Sequence, residues 1–415
     1  MRLAIASACI GGIPQVLARE SSVMILYVTM LGAGPFLSMA MTSLEYLSTF
    51  VLILPVAYVM EHLGKKRLII PALMVATGSM LAVGTAAWFP TAARTVLTAG
   101  LVLFSMAMAV YIAGWFPLLR DVIPAGERGR FFGRMRMSWQ AVAAAYMMGS
   151  AVVVGKTAPV RLVQWIVLVA AALTIGRVLL VSMIPEPARP RPVVGFGRSL
   201  ASLAAQGRLR RFWLYLFGLF LFCSATTPIA LVYARLSLRV PDNYLVVLSA
   251  CLNVGMIGGF FSAGHAADRF GTSPVFLVTH LLMGLLNLSF LLVFDFSLRS
   301  AILLPVLLSG YGAMYAAAMV ATSAEIMSLA QPRYLNLSIA ISTALQYAGI
   351  GIGRFASGLL LGSDLLPESW SLFEVRMTRY HALFAGNAIL LLLWFALLLV
   401  LPKVRTKKGW IPWNG

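Results

Sequence analysis

Charge is scarce in this chain, and acid is scarcer than base. Only 11% of its 415 residues are charged, and Asp and Glu together number 13 against 32 Lys and Arg. A soluble domain carries about twice that proportion of charged residues, so a soluble fold is excluded. Cysteine is nearly missing. Cys9, Cys223 and Cys251 stand alone in apolar runs, which rules out a disulfide framework or thiolate metal site and leaves them as small core residues. No nucleophile–base pair, metal-ligand cluster or phosphate-binding glycine loop is legible either, so no enzyme activity, metal or cofactor is expected.

Hydrophobic residues make up 60% of the chain, and the mean hydropathy is +0.90. Crossing a bilayer takes roughly 20 apolar residues per helix. Twelve segments qualify, near residues 3–31, 37–60, 68–89, 95–119, 137–155, 162–184, 212–238, 243–263, 274–296, 301–324, 335–360 and 379–402. They are continuous runs rather than alternating ten-residue strands, which excludes a β-barrel. The expected fold is an all-α integral membrane protein. The net charge of +19 would suggest nucleic acid in a soluble protein, but the positions of the bases explain it better. With both termini cytoplasmic, 21 of the 32 Lys and Arg fall on the inner side, in clusters such as Lys65 to Arg67, Arg120 to Arg136 and Arg189 to Arg211. Nucleic acid is therefore not an expected partner. The cell inner (cytoplasmic) membrane is the expected location.

The chain also repeats itself. Gly264-His265-Ala266-Ala267-Asp268-Arg269-Phe270-Gly271 reads as a polar turn between apolar runs, and Ala57 to Gly64 is its faded copy 207 residues earlier, about half the chain. Pro35 and Pro241 are 206 apart, Pro124 and Pro332 are 208 apart, and so the punctuation stays in register. The expected organisation is a six-helix half over 1–184, a linker over 185–211, a second six-helix half over 212–402 and a tail over 403–415. The linker begins with the proline-rich run Ile184 to Pro192, and Ser199 to Phe212 suits an amphipathic helix with Leu200, Leu203 and Ala204 on one face.

The repeat places Gly32 to Pro35 in the first external loop, so the first helix covers about 3–31 and carries Arg19 and Glu20 near its middle. A charge at that depth costs a few kcal/mol unless it faces water or a partner, which makes the pair a candidate functional site. Gln15, Arg19 and Ser22 share one helical face, Glu20 lies about 100° around, and Glu45 on the second span is at the right depth to neutralise Arg19. Two readings stay open: a structural ion pair, or a cavity role in binding or proton coupling. Tyr111 and Trp115, and Tyr311 and Tyr315, are i, i+4 aromatic pairs on repeat-related spans; such pairs serve packing more often than ligand contact. Thr226 and Thr227 are the counterparts of Glu20, with hydroxyls able to bond back to their own helix. Tyr347 and Arg354 share a face of the eleventh span with Gln346 at its edge, while Arg177, near the inner end of the sixth, is expected to snorkel outward.

Gly264-x-x-x-Asp268-Arg269-x-Gly271, with twelve spans and a duplicated half, resembles the loop signature of the major facilitator superfamily. The resemblance implies two pseudo-symmetric six-helix halves around a central cavity, working by alternating access. It also implies a conformational latch, with Asp268 and Glu61 each capping a helix of the opposite half. Glu61 would meet the start of the eleventh span, near Arg333 to Asn336. Gly64, Gly264 and Gly271 would shape the turns, Arg269 would pair with Glu325, and Arg128 falls in the Asp121 to Gly133 run, which is similar to the family's loop after the fourth helix. The first copy departs from the pattern at Ala57, Glu61 and His62. The fifth helix, Tyr146 to Gly155, lacks the proline of the family's drug–proton exporters, so multidrug export is less expected. The expected function is secondary active transport of a small solute, proton-coupled. Arg19 would contact an anion, and Glu20 or Glu45 would titrate. Three arginines against two glutamates in the spans favour an anionic or zwitterionic organic solute. Partners would be that solute and membrane lipids, with a monomer as the working form. A transporter-like sensor or assembly scaffold in a specialised membrane, and a drug or metabolite exporter, remain the alternatives.

Overall fold

The computed structural model describes residues 1–124, 127–186, 196–330, 335–372, 375–400, 404–406 and 409–411. The all-α expectation holds. Two compact units form, Met1–Phe196 with Pro241–Ala250, and Gly197–Val240 with Cys251–Gly415. The first contains α1 (Arg2–Glu20), α2 (Ser22–Met30), α3 (Pro35–Leu63), α4 (Lys66–Thr85) with a 3-10 turn (Ala86–Trp88), α5 (Ala93–Val122), α6 (Arg128–Val154) and α7 (Val160–Met183). After the short α8 (Phe196–Ala204), the second contains α9 (Gly207–Cys223), α10 (Thr226–Leu236), α11 (Asp242–Phe270), α12 (Thr272–Phe290), α13 (Leu298–Leu329), α14 (Leu335–Gly362) and α15 (Arg379–Val400). The first two turns of α11 pack with the first unit. An antiparallel hairpin, β1 (Ser369–Leu372) and β2 (Val375–Thr378), precedes α15, and a smaller one, β3 (Val404–Thr406) and β4 (Gly409–Ile411), lies in the tail.

Among the described residues ten helical segments are long and apolar enough to cross a membrane. Outside that count are α14 and the first expected span. That span is not the continuous helix expected over 3–31: it breaks at Ser21, whose backbone is extended (φ −100°, ψ 132°). The stretch expected to be one amphipathic helix over Ser199 to Phe212 is also divided, between α8 and the start of α9, and only Leu203 of its three apolar residues is buried. Residues 187–195 of the expected linker lie outside the described residues.

The same helix pairings recur in each unit: α1 packs on α6 and α7, and α4 on α5 and α7, as α9 packs on α14 and α15, and α12 on α13 and α15. The repeated punctuation has a conformational cause. The polar run before each glycine is helical, so Gly264 is no turn residue, and a Cβ on it would meet nothing within 4 Å. The chain turns instead at Gly64 (φ 94°) and Gly271 (φ 84°), where the left-handed backbone favours glycine. The next residues tie the turn down. In the first unit the Glu186 carboxylate accepts the N–H groups of Lys65 (2.7 Å) and Lys66 (3.3 Å) at the start of α4. Lys66 donates to the Ser182 and Ile184 carbonyls at the end of α7, and Lys65 pairs with Asp121 of α5. In the second, Thr272 donates to Glu325 of α13 at 2.5 Å. Each unit thus uses an acid near the end of its fourth span to hold the start of its third.

Glycine also sets the closest helix approaches in the second unit. A Cβ on Gly353 of α14 would collide with the Leu221 carbonyl of α9, and one on Gly255 or Gly259 of α11 with the Ser309 or Ala313 carbonyl of α13. Small residues four apart let backbones pack closely where lipid supplies no hydrophobic drive. Because backbone atoms block these positions, Gly353→Leu or Gly259→Leu should cost about 1–3 kcal/mol or more. In a thermal unfolding assay Gly258→Ala, which faces open space, should be neutral or stabilising; equal melting temperatures for all three would refute the packing argument.

Candidate functional site

A helix broken in an apolar region must find partners for its freed backbone groups. At the α1–α2 break these are serines. Ser21 Oγ accepts the Val23 N–H (3.0 Å), Ser22 N–H donates to Ser249 Oγ (2.9 Å), and the two hydroxyls of Ser22 and Ser249 bond at 2.8 Å. Ser22 has therefore left the Gln15–Arg19 face that an unbroken helix would give it.

Next to the break, α1 and α3 share a charged cluster. Arg19 Nη2 lies 2.6 Å from Glu45 Oε1, and Gln15 Nε2 donates to that same oxygen at 2.8 Å. Glu45 is 2% exposed, and its Oε2 has no hydrogen-bond partner among the described residues. Tyr46 donates to Glu20 Oε1 at 3.0 Å while the Arg19 guanidinium stands 5.0 Å from the Tyr46 ring centre. Gln15 and Glu45 are buried, and Arg19 and Glu20 are half-buried.

A second guanidinium joins from α7. Arg177, expected to snorkel outward, turns inward: it is 2% exposed, sits 4.4 Å from the Tyr111 ring centre and reaches the Ser7 carbonyl at 3.4 Å. It is within electrostatic reach of both Glu45 and Arg19. The cause is Gly11 on α1, where any Cβ would collide with the guanidinium. Tyr111 stacks on Trp115 (5.3 Å, 26°), and its hydroxyl has no partner among the described residues. The unit therefore sets two guanidiniums and two carboxylates along α1, with Arg177 beside Gly11 and the other three next to the break.

In the second unit α9 and α10 form the first span and meet at Ser224 and Ala225, whose backbone stays right-handed helical, while Pro228 has no N–H to offer the Ser224 carbonyl. Arg354, 1% exposed, does not snorkel; its Nε donates to the Ser224 carbonyl at 3.1 Å, and Tyr311 donates to the Cys223 carbonyl at 2.5 Å. Thr226 bonds outward to Asn287 of α12 at 2.8 Å rather than back to its own helix. Asn287 and His280, one face apart by seven residues on α12, were missed in the sequence; their signal was polarity inside an apolar run. His280 lies 3.4 Å from the Tyr215 hydroxyl. Thr227 is buried, Tyr347 is half-buried, and Gln346 Nε2 has no partner among the described residues. Tyr315 packs edge-on against Phe220, a contact of the packing kind.

The sequence matches the family model described as Major Facilitator Superfamily over residues 8–353. The chain belongs to the Major Facilitator Superfamily. It is accordingly a multi-pass membrane transporter rather than an enzyme. Solved structures agree on the fold. A nucleoside transporter, NupG, is 14% identical at TM-score 0.66, with 95% of this chain and 97% of that one covered. The xylose transporter XylE from E. coli, in a partially occluded inward-open conformation, is 12% identical at TM-score 0.71, with 98% of both chains covered. The E. coli fucose–proton symporter FucP is 14% identical at TM-score 0.62, covering 95% of this chain and 97% of that one. No curated protein matches the sequence.

The residues expected to form this transporter's latch sit at helix ends. Glu61 is half-buried in the last turn of α3; Asp268 and Arg269 are exposed in the last turn of α11, with Arg269 5.2 Å from the ring centre of its neighbour Phe270. Glu325 is 2% exposed and holds Thr272. Arg128 opens α6. Residues 333–334, part of the expected partner of Glu61, lie outside the described residues.

Proposed function

We propose that this transporter is a secondary active carrier of a small anionic or zwitterionic organic solute, coupled to protons and working by alternating access. The observation that carries the reading is the Glu45 carboxylate: one oxygen takes both Arg19 and Gln15, and the other is left open in a buried site. In this reading the open oxygen is where the coupling proton is taken up. While the carboxylate is ionised it compensates Arg19. Once it is protonated, Arg19 and Arg177 outnumber the remaining acid, Glu20, and the excess positive charge attracts an anion. Proton and solute then bind best together, which is the condition for symport. The proton symporters among the similar structures carry sugars by their titles; the anionic preference here rests on the guanidiniums.

Proteoliposomes with an imposed pH gradient, offered labelled carboxylates, phosphate esters, amino acids and neutral sugars, test this. Accumulation of one anionic or zwitterionic class that collapses with a protonophore is expected. Accumulation of neutral sugars alone would overturn the solute class. A folded protein that moves none of the panel would favour the sensor or scaffold.

A further inference from the structure

The first unit holds a cavity of about 760 Å³ that the transport reading does not use. It lies where α2 and α4 end and α5 and α7 begin, and none of the charged residues of the Arg19 cluster lines it. Its polar lining is one-signed. Arg161 and Gln164, three residues apart on the first turns of α7, face it together, and none of its lining residues is acidic. Gln164 is 2% exposed, and its Nε2 has no hydrogen-bond partner among the described residues, so a buried donor waits in the wall. The start of α7 has no side-chain cap of its own; the Asp242 carboxylate accepts the Ala158 N–H at 2.8 Å just before it. A further cation stands at the edge: Arg94, anchored on the Leu31 carbonyl at 3.2 Å, lies against Gly32, where a Cβ would come within 2.5 Å of it. Trp88, 56% exposed, forms part of the lining. Indole rings of this kind sit at the headgroup level of membranes.

We propose that this cavity binds a phosphate group at the membrane surface, with Arg161 supplying the charge, Gln164 Nε2 the buried hydrogen bond and Trp88 a flat wall against the ester. The chemistry fits the headgroup of an anionic phospholipid and a free phosphate alike. Nothing in it depends on the solute or the coupling proposed above.

Native mass spectrometry of the full chain, delipidated and titrated with phosphatidylglycerol or phosphatidylcholine, reads the site directly. The unmodified protein should retain one phosphatidylglycerol at least tenfold more tightly than phosphatidylcholine. Arg161→Gln and Gln164→Leu should each lose that one lipid, while Arg376→Gln, an arginine outside the cavity, should keep it. Displacement by millimolar inorganic phosphate would identify the free anion as a sufficient ligand; retention against phosphate would identify the lipid. Equal lipid retention by the unmodified protein, Arg161→Gln and Gln164→Leu would overturn the site. Should Gln164→Leu fail to fold, the exposed Arg161→Gln carries the test alone.

Discussion

Glu45→Gln is expected to abolish solute accumulation driven by a pH gradient while leaving exchange of solute across the membrane in place. Glutamine keeps the size of the side chain and an oxygen for Arg19 and Gln15, but it cannot gain or lose the proton. It also removes the carboxylate charge 2.6 Å from the Arg19 guanidinium. Breaking one side of a buried pair costs roughly 3–5 kcal/mol, so the single variant should also melt at a lower temperature. The double variant, Arg19→Gln with Glu45→Gln, separates the two roles. Both charges are gone, and a neutral amide pair can bond at the same place, so stability should return to near that of the unmodified protein. Transport should not return if Arg19 binds the solute. Full recovery of both would reduce the pair to a lock between α1 and α3. Glu20→Gln should act more mildly, because Glu20 is half-buried and its hydrogen bond from Tyr46 survives the change.

The helices were legible because apolar length is a strong signal, and the two turn glycines because they repeat 207 residues apart with the same left-handed backbone. That Arg19 and Glu45 lie at one depth also follows from counting residues from a common loop. The break at Ser21 was not legible: it contains neither proline nor glycine, and serine in an apolar run is compatible with a continuous helix. The run from Gly264 to Phe270 was misread as a turn because polar residues were weighed above helix propensity, although Ala266 and Ala267 favour helix. Arg177 was misplaced for a different reason. From Arg177 to the end of α7 at Met183 is only six residues, or about 9 Å of helix, within reach of a snorkelling arginine. What turned it inward was a missing side chain on another helix, Gly11, which no pattern local to α7 records.

That pairing leads to the second large effect. Arg177→Met should reduce transport of an anionic solute by a factor of tens or more, and Gly11→Leu should do nearly the same by occupying the space the guanidinium needs. Each change alone also harms the fold. The first removes a cation–π contact to Tyr111 worth about 2 kcal/mol when desolvated, and the second overfills a packed interface. Combined, methionine and leucine can share the space apolarly, so the stability losses should be strongly non-additive, as for residues in direct contact. Transport decides the role of Arg177. If the guanidinium only props α7 against α1 and α5, the double variant should transport as well as it folds. If it supplies half of the positive charge that draws the solute to the Glu45 site, the double variant should melt near the unmodified protein and still fail to accumulate solute at any imposed pH gradient. Restored uptake in the double variant would assign the buried charge to packing and leave Arg19 as the anion contact in this unit.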